Sequence, residues 1–146
     1  MDQPADILPP RLAEIVEAFA WAEGPEKLEL LLDFANQLPE LPDWLRDHRE
    51  KMEPVPECMT PVFLYAEATG DGRLTLHIDV PRESPTVRGF AAVLQQGLSG
   101  RTPPEILAVP TSFYETMGLT EVLTPQRLSG LHAMLAHVKR LARQHR

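Results

Sequence analysis

The chain holds one cysteine, Cys58, in 146 residues. A single thiol cannot build an internal disulfide framework, so a reducing cytoplasm is the expected setting. It also falls short of the roughly four thiolates that an iron–sulfur cluster needs. A structural zinc site lacks its set of cysteines and histidines. Lysine is scarce: Lys27, Lys51 and Lys139 are the only three, and none stands in a setting that suggests a Schiff base. No glycine-rich loop matches a phosphate cradle. No apolar run is long enough to span a bilayer, and the N-terminus lacks the basic patch and apolar stretch of a signal peptide. The chain is therefore expected to hold no metal and no cofactor of its own, and to work away from membranes.

What is present fits one domain, residues 1–146, with about residues 1–8 frayed. Hydrophobic content of 43% and charged content of 24% are ordinary for a globular fold. The 15 prolines fall at apparent element boundaries rather than in one tract. The net charge of −7 is uneven: residues 1–60 carry 14 acidic against 5 basic side chains, and residues 61–146 carry 7 against 9. Such a distribution argues against nucleic-acid binding, which needs clustered Lys and Arg. An acidic front suits either a basic patch on a protein partner or plain solvation.

Helical periodicity opens the chain. Leu12, Ile15, Val16 and Phe19 follow Pro10, and Leu28, Leu31, Leu32, Ala35 and Leu38 follow the Gly24-Pro25 break. Two such neighbours are expected to pack as a hairpin, with Trp21 and Trp44 used in packing. Pro42 begins a short helical piece anchored by Trp44 and Leu45. The period then changes to two: Leu74, Leu76, Ile78 and Val80 alternate with polar residues. Val62 to Ala68 is the partner strand across the Thr69-Gly70-Asp71-Gly72 turn. Ser84-Pro85 reads as a cap and first turn for a helix through Val87, Phe90, Ala91 and Leu94, stopping at Gly97 or Gly100. Thr102 and Glu105 have capping-box spacing, and a further helix ends at Gly118. Thr124-Pro125 opens the last helix, striped by Leu128, Leu131, Leu135, Val138 and Leu141, with Lys139, Arg140, Arg143 and Arg146 at its basic end. The class is α+β, helices packed on a small antiparallel sheet.

Cys58 lies among Pro54, Pro56 and Pro61, which exclude a helix interior or a central strand. It is expected on a stiff loop just ahead of the hairpin. A free cysteine is commonly a small buried hydrophobe, yet loops are also where functional side chains concentrate. His48 or His77 can approach Cys58 on paper for acyl transfer, although nothing local supports it. His132 and His137 read as surface histidines. A positioned thiolate is suited to exchange, attacking a disulfide or persulfide sulfur and keeping the transferred atom. That chemistry needs help with deprotonation, since a free thiol has a pKa of about 8.5.

Three blocks, in order, resemble the SufE family: Val55-Pro56-Glu57-Cys58-Met59-Thr60-Pro61-Val62-Phe63-Leu64, Glu83-Ser84-Pro85-Thr86-Val87-Arg88-Gly89-Phe90, and Leu123-Thr124-Pro125-Gln126-Arg127-Leu128-Ser129-Gly130-Leu131-His132-Ala133-Met134. The resemblance implies a SufE-like α+β fold and a sulfur carrier without substrate turnover of its own. It implies that Cys58 takes persulfide sulfur from a SufS-like cysteine desulfurase, whose cofactor is pyridoxal phosphate. The carrier stimulates that enzyme and passes sulfur to a SufBCD-like iron–sulfur scaffold. A non-carrying allosteric partner, or a CsdE-like acceptor for another pathway, are the alternatives. Arg127 matches the arginine of the family's Thr-Pro-Ser-Arg block, and Arg88 the basic residue before its glycine. Both are candidates for steadying the thiolate or meeting a partner. Arg88 also suits an ordinary solvated position near a helix start, whereas Arg127 is mildly unfavourable in a first helical turn, which implies a carboxylate partner on another protein or within the chain. Many relatives carry Gly-Cys-Gln-Ser where this chain has Glu57-Cys58-Met59-Thr60, and Gln126 and Leu128 replace a serine and a small or polar residue. Glu57 opposes thiolate formation. Met59 and Phe63 either line a pocket that shelters the sulfur or pack in the core.

Overall fold

The computed structural model describes residues 7–145, so the expected fraying of residues 1–6 and the basic Arg146 lie outside the described residues. Of the remaining N-terminal positions, Leu8 packs against the core. In chain order the elements are α1 (Pro10–Trp21), α2 (Pro25–Ala35), α3 (Asp43–Arg46), β1 (Glu53–Pro54), β2 (Phe63–Ala68), β3 (Leu74–Asp79), α4 (Pro85–Leu98), α5 (Pro103–Leu107), α6 (Phe113–Thr116) and α7 (Pro125–Gln144). The three strands form one antiparallel sheet in the order β1-β2-β3.

The hairpin follows from its alternation. Leu64 faces Ile78, Ala66 faces Leu76 and Ala68 faces Leu74, and all but Ala68 are buried on the face turned to α4 and α7. Gly72, at φ +83°, makes the reversal. The opposite face carries Phe63, Tyr65 and His77 and is partly covered by a smaller cluster of Leu41, Leu45 and Met52. Trp44 stands edge-on to Tyr65 and His77, with ring centroids 5.7 and 5.6 Å apart. The two-residue strand β1 was not legible as a strand; its proline is tolerated because β1 is an edge.

Helix α4 is the axis of the molecule. Arg88 through Leu94 are buried without interruption, because α1 and α2 pack on one side and the sheet and α7 on the other. Two glycines make that crowding possible. A Cβ on Gly89 would stand 2.2 Å from the Leu31 carbonyl oxygen, and one on Gly97 would stand 2.8 Å from Leu12. The helix therefore passes through Gly97 and ends at Leu98, with Gly100 at φ +84° making the turn that follows.

Several sequence expectations change for physical reasons. Helices α1 and α2 do not form a side-by-side hairpin; each lies on α4. They meet where Phe19 stacks on Phe34, at 5.8 Å between centroids, and where Lys27 reaches back to α1. Packing against Gly89 rotates α2 so that Lys27, Leu31, Phe34 and Ala35 face inward, while Leu32 is exposed. Trp21 is not a packing residue; it is 79% exposed at the end of α1. The Ser84 side chain does not cap α4. The Thr124 hydroxyl does cap α7, accepting from the Arg127 amide at 3.2 Å, and Thr102 with Glu105 forms the full capping box.

Candidate functional site

The loop between β1 and β2 is closed at its base by the Val55 amide donating to the Val62 carbonyl at 2.9 Å. Inside it the Cys58 amide donates to the Val55 carbonyl at 3.1 Å, a tight turn consistent with the flanking prolines. Cys58 is half-buried and its thiol donates to the Gly130 carbonyl of α7 at 3.4 Å. Gly130 is buried, and its missing side chain leaves the room that the sulfur occupies: a Cβ there would stand 3.3 Å from Sγ. Burial pushes the thiol pKa up, and the Glu57 carboxylate pushes it further. The seated sulfur is a protonated thiol at neutral pH.

Cys58 opens on a cleft of about 820 Å³ between its loop, the start of α4 and the start of α7. Leu28, Pro61, Val87, Val122 and Leu123 give it apolar walls, and Met59, Ser84, Thr86, Gln126 and Arg127 also line it. Met59 is 83% exposed, so it lines the cleft beside the sulfur and does not pack in the core. Phe63 lies away from the sulfur on the far face of the sheet, beneath the Arg49 guanidinium at 5.2 Å. The Thr60 and Ser84 hydroxyls hydrogen-bond across the rim, tying the cysteine loop to the entry of α4. Arg127 donates to the Thr86 hydroxyl. Among the described residues no carboxylate pairs with Arg127, so its full charge faces the cleft mouth.

Arg88 is not part of this site. It is 7% exposed, and its guanidinium donates to the main-chain oxygens of Ala35, at 3.1 Å, and Val80, at 2.6 Å. It ties the end of α2 and the exit of β3 to α4, a structural role that the helix-start position concealed. His48 and His77 are likewise engaged elsewhere, with Glu50 and Glu67. His132 is exposed, edge-on to Tyr114 at 6.3 Å.

His137 is the residue that sequence reasoning misplaced. Its side chain is 14% exposed, and each ring nitrogen meets a carboxylate: Nδ1 meets Glu53, and Nε2 meets Glu57 at 3.0 Å. Burial pulls the imidazole pKa down, but the hydrogen bonds and charges of Glu53 and Glu57 outweigh it, and the group titrates above its ordinary value. Glu57 is held below its usual range by its own backbone amide and then by His137. The signal was present: Gly130, Met134, His137 and Leu141 recur at i, i+4, i+7 and i+11, one helix face, and the other three members are buried.

Among the described residues no group of three His, Cys, Asp or Glu side chains is placed to hold a metal ion, and no helix is long and apolar enough to cross a membrane.

The family described as SufE, the Fe-S metabolism associated domain, matches residues 13–142. An uncharacterized SufE-like protein of Mycobacterium tuberculosis is 49% identical over 144 residues, which cover 99% of both chains. The SufE-like protein 1, chloroplastic/mitochondrial, of Arabidopsis thaliana is 33% identical over 141 residues, covering 96% of this chain and 37% of that longer one. The solution structure of a hypothetical protein from Thermus thermophilus superposes with a TM-score of 0.82 at 37% identity, covering 94% of this chain and 96% of the other. With its α+β fold and its lone thiol on the loop ahead of the hairpin, the chain belongs to the SufE family, associated with iron–sulfur metabolism.

Proposed function

We propose that this protein is a sulfur acceptor and carrier that takes sulfane sulfur onto Cys58 from the persulfide of a SufS-like cysteine desulfurase and delivers it to a SufBCD-like iron–sulfur scaffold. One observation carries the reading: the only thiol of the chain stands at the edge of a cleft, on a loop seated against Gly130. The Cys58 thiolate attacks the outer sulfur of the partner's persulfide. A new S–S bond forms on Cys58, the partner's S–S bond breaks, and the partner's cysteine leaves as a thiolate. Sulfur oxidation states are exchanged between the two proteins, so no external oxidant or reductant enters. Carrying the product sulfur away is what stimulates the desulfurase.

The raised thiol pKa gives the resting state a purpose within this reading. A seated, protonated sulfur is a poor nucleophile, which suits a carrier waiting in the cytoplasm. Transfer then requires Cys58 to leave Gly130 and be deprotonated in the partner's site, where the pyridoxal phosphate also resides. The charge of Arg127, which pairs with no carboxylate among the described residues, and the exposed Met59 beside the sulfur offer the partner an anion contact and an apolar contact.

Incubation with a desulfurase and free cysteine, followed by intact-mass measurement, tests the reading. The expected result is the gain of one sulfur atom on the Cys58 peptide, reversed by reductant and absent in Cys58→Ser. Stimulation of the desulfurase that survives Cys58→Ser would instead make the chain a non-carrying activator. A CsdE-like acceptor would show the same adduct and fail to load an iron–sulfur scaffold.

A further inference from the structure

His137 lies two helical turns beyond Gly130 on one face of α7, so the cysteine loop rests on that helix at two points. At one, the Cys58 thiol meets the Gly130 carbonyl. At the other, the His137 ring lies between Glu57 and Glu53, the residues next to Cys58 and at the start of β1. A carboxylate only accepts hydrogen bonds, and a neutral imidazole has only one N–H. With a carboxylate oxygen at each ring nitrogen, the ring is an imidazolium in this arrangement.

We infer that His137 is the positioning residue of the cysteine loop: as an imidazolium it ties Glu57 and Glu53 to α7 and keeps Cys58 on its seat, and loss of the tie to Glu57 frees the loop to carry the thiol outward. Glu57 is the releasable half. Its side chain is more than half exposed, whereas Glu53 is mostly enclosed and has Arg140 Nε at 3.8 Å as a second cation. A cation on a docking partner can therefore capture Glu57 while β1 stays anchored. Deprotonation of His137 breaks the same tie. The titratable groups around the ring are Glu53, Glu57, Lys51, Tyr65, Arg140 and His145; the two carboxylates touch it, which is why the imidazolium persists above the usual histidine range. The connection to sulfur transfer rests on the proposed function, but the tie itself does not.

The test is the rate of Cys58 alkylation by iodoacetamide between about pH 5.5 and 9, a range that spans ordinary histidine and cysteine pKa values. A thiolate exposed to the same degree at every pH gives a log rate that rises with unit slope below its pKa. The wild-type protein should rise more steeply than this where His137 loses its proton, by roughly tenfold in all, as a charge-assisted hydrogen bond gives way. His137→Gln should restore unit slope and react faster than wild type at the acid end. Glu57→Ala removes the acceptor and cuts the tie from the exposed loop without altering α7, and it too should restore unit slope. Unit slope in the wild-type protein, or an excess slope that persists in both variants, would overturn the inference. Alkylation uses no desulfurase, so a failure here is distinct from a failure to form the persulfide.

Discussion

The sulfur of Cys58 and the main-chain oxygen of Gly130 lie 3.4 Å apart, with no side chain between the loop and the helix at that point. Substitution of Gly130 by alanine would place a Cβ 3.3 Å from Sγ, tighter than an ordinary contact. The loop is the part free to yield, so Gly130→Ala should displace the thiol rather than distort α7. Helix propensity adds about 1 kcal/mol in favour of alanine. The expected outcome is several-fold faster alkylation of Cys58 at neutral pH with a nearly unchanged melting temperature, checked by both measurements on one sample.

Arg88→Leu should destabilise the fold by about 2–4 kcal/mol, because two buried carbonyls lose a charged donor. Arg88→Lys should recover little, since one ammonium cannot reproduce the two-pronged geometry. Urea denaturation measures the loss. The fraction of Cys58 that accepts sulfur should be unchanged in the molecules that remain folded, which separates a structural Arg88 from one that contacts a partner.

Lys27 is 3% exposed, and its ammonium donates to the Phe19 and Ala22 carbonyls at 2.7 and 2.6 Å. It serves as the C-terminal cap that α1 lacks in its own sequence. Lys27→Met keeps the aliphatic stem and removes the donors, and should cost about 2–3 kcal/mol in thermal or urea unfolding. Hydrogen exchange should rise first at the end of α1.

Two groups give pH dependence of opposite sign. Glu105, held at a pKa of about 2 by the Thr102 amide and Arg101, contributes stability that is present above its unfolded value of 4.5 and lost as pH falls through about 2. The wild-type advantage over Glu105→Gln should therefore shrink on acidification. His137 titrates above its unfolded value of 6.5, so its contribution is complete below that pH and lost as pH rises through the folded value. The wild-type advantage over His137→Gln should shrink on alkalinisation. Denaturation midpoints collected across pH for the three proteins check both signs.

The hairpin and most of the helices were legible because local patterning decides them: alternation for β3, capping chemistry for α5 and α7, and proline at the first turn of each longer helix. The burial of Arg88 and Lys27 was not. Charged residues read as surface when the carbonyls they satisfy belong to distant segments, as Ala35 and Val80 do for Arg88. The same blindness hid His137, whose carboxylates lie 84 and 80 residues away in the chain. Leu32 was misassigned because the face that α2 buries is chosen by Gly89 on another helix. Cys58 itself was found by scarcity and by the prolines around it, and its seat depended on knowing where α7 comes to rest.

That helix is also made long after the loop it holds. Gly130 follows Cys58 by 72 residues, and His137 follows Glu57 by 80. A nascent or clipped polypeptide that lacks α7 thus carries a bare sulfhydryl with no carbonyl to hold it and no imidazolium to tether its loop. Such intermediates are the forms most exposed to adventitious oxidation and mixed-disulfide formation, and synthesis of α7 is what makes the thiol chemically discreet.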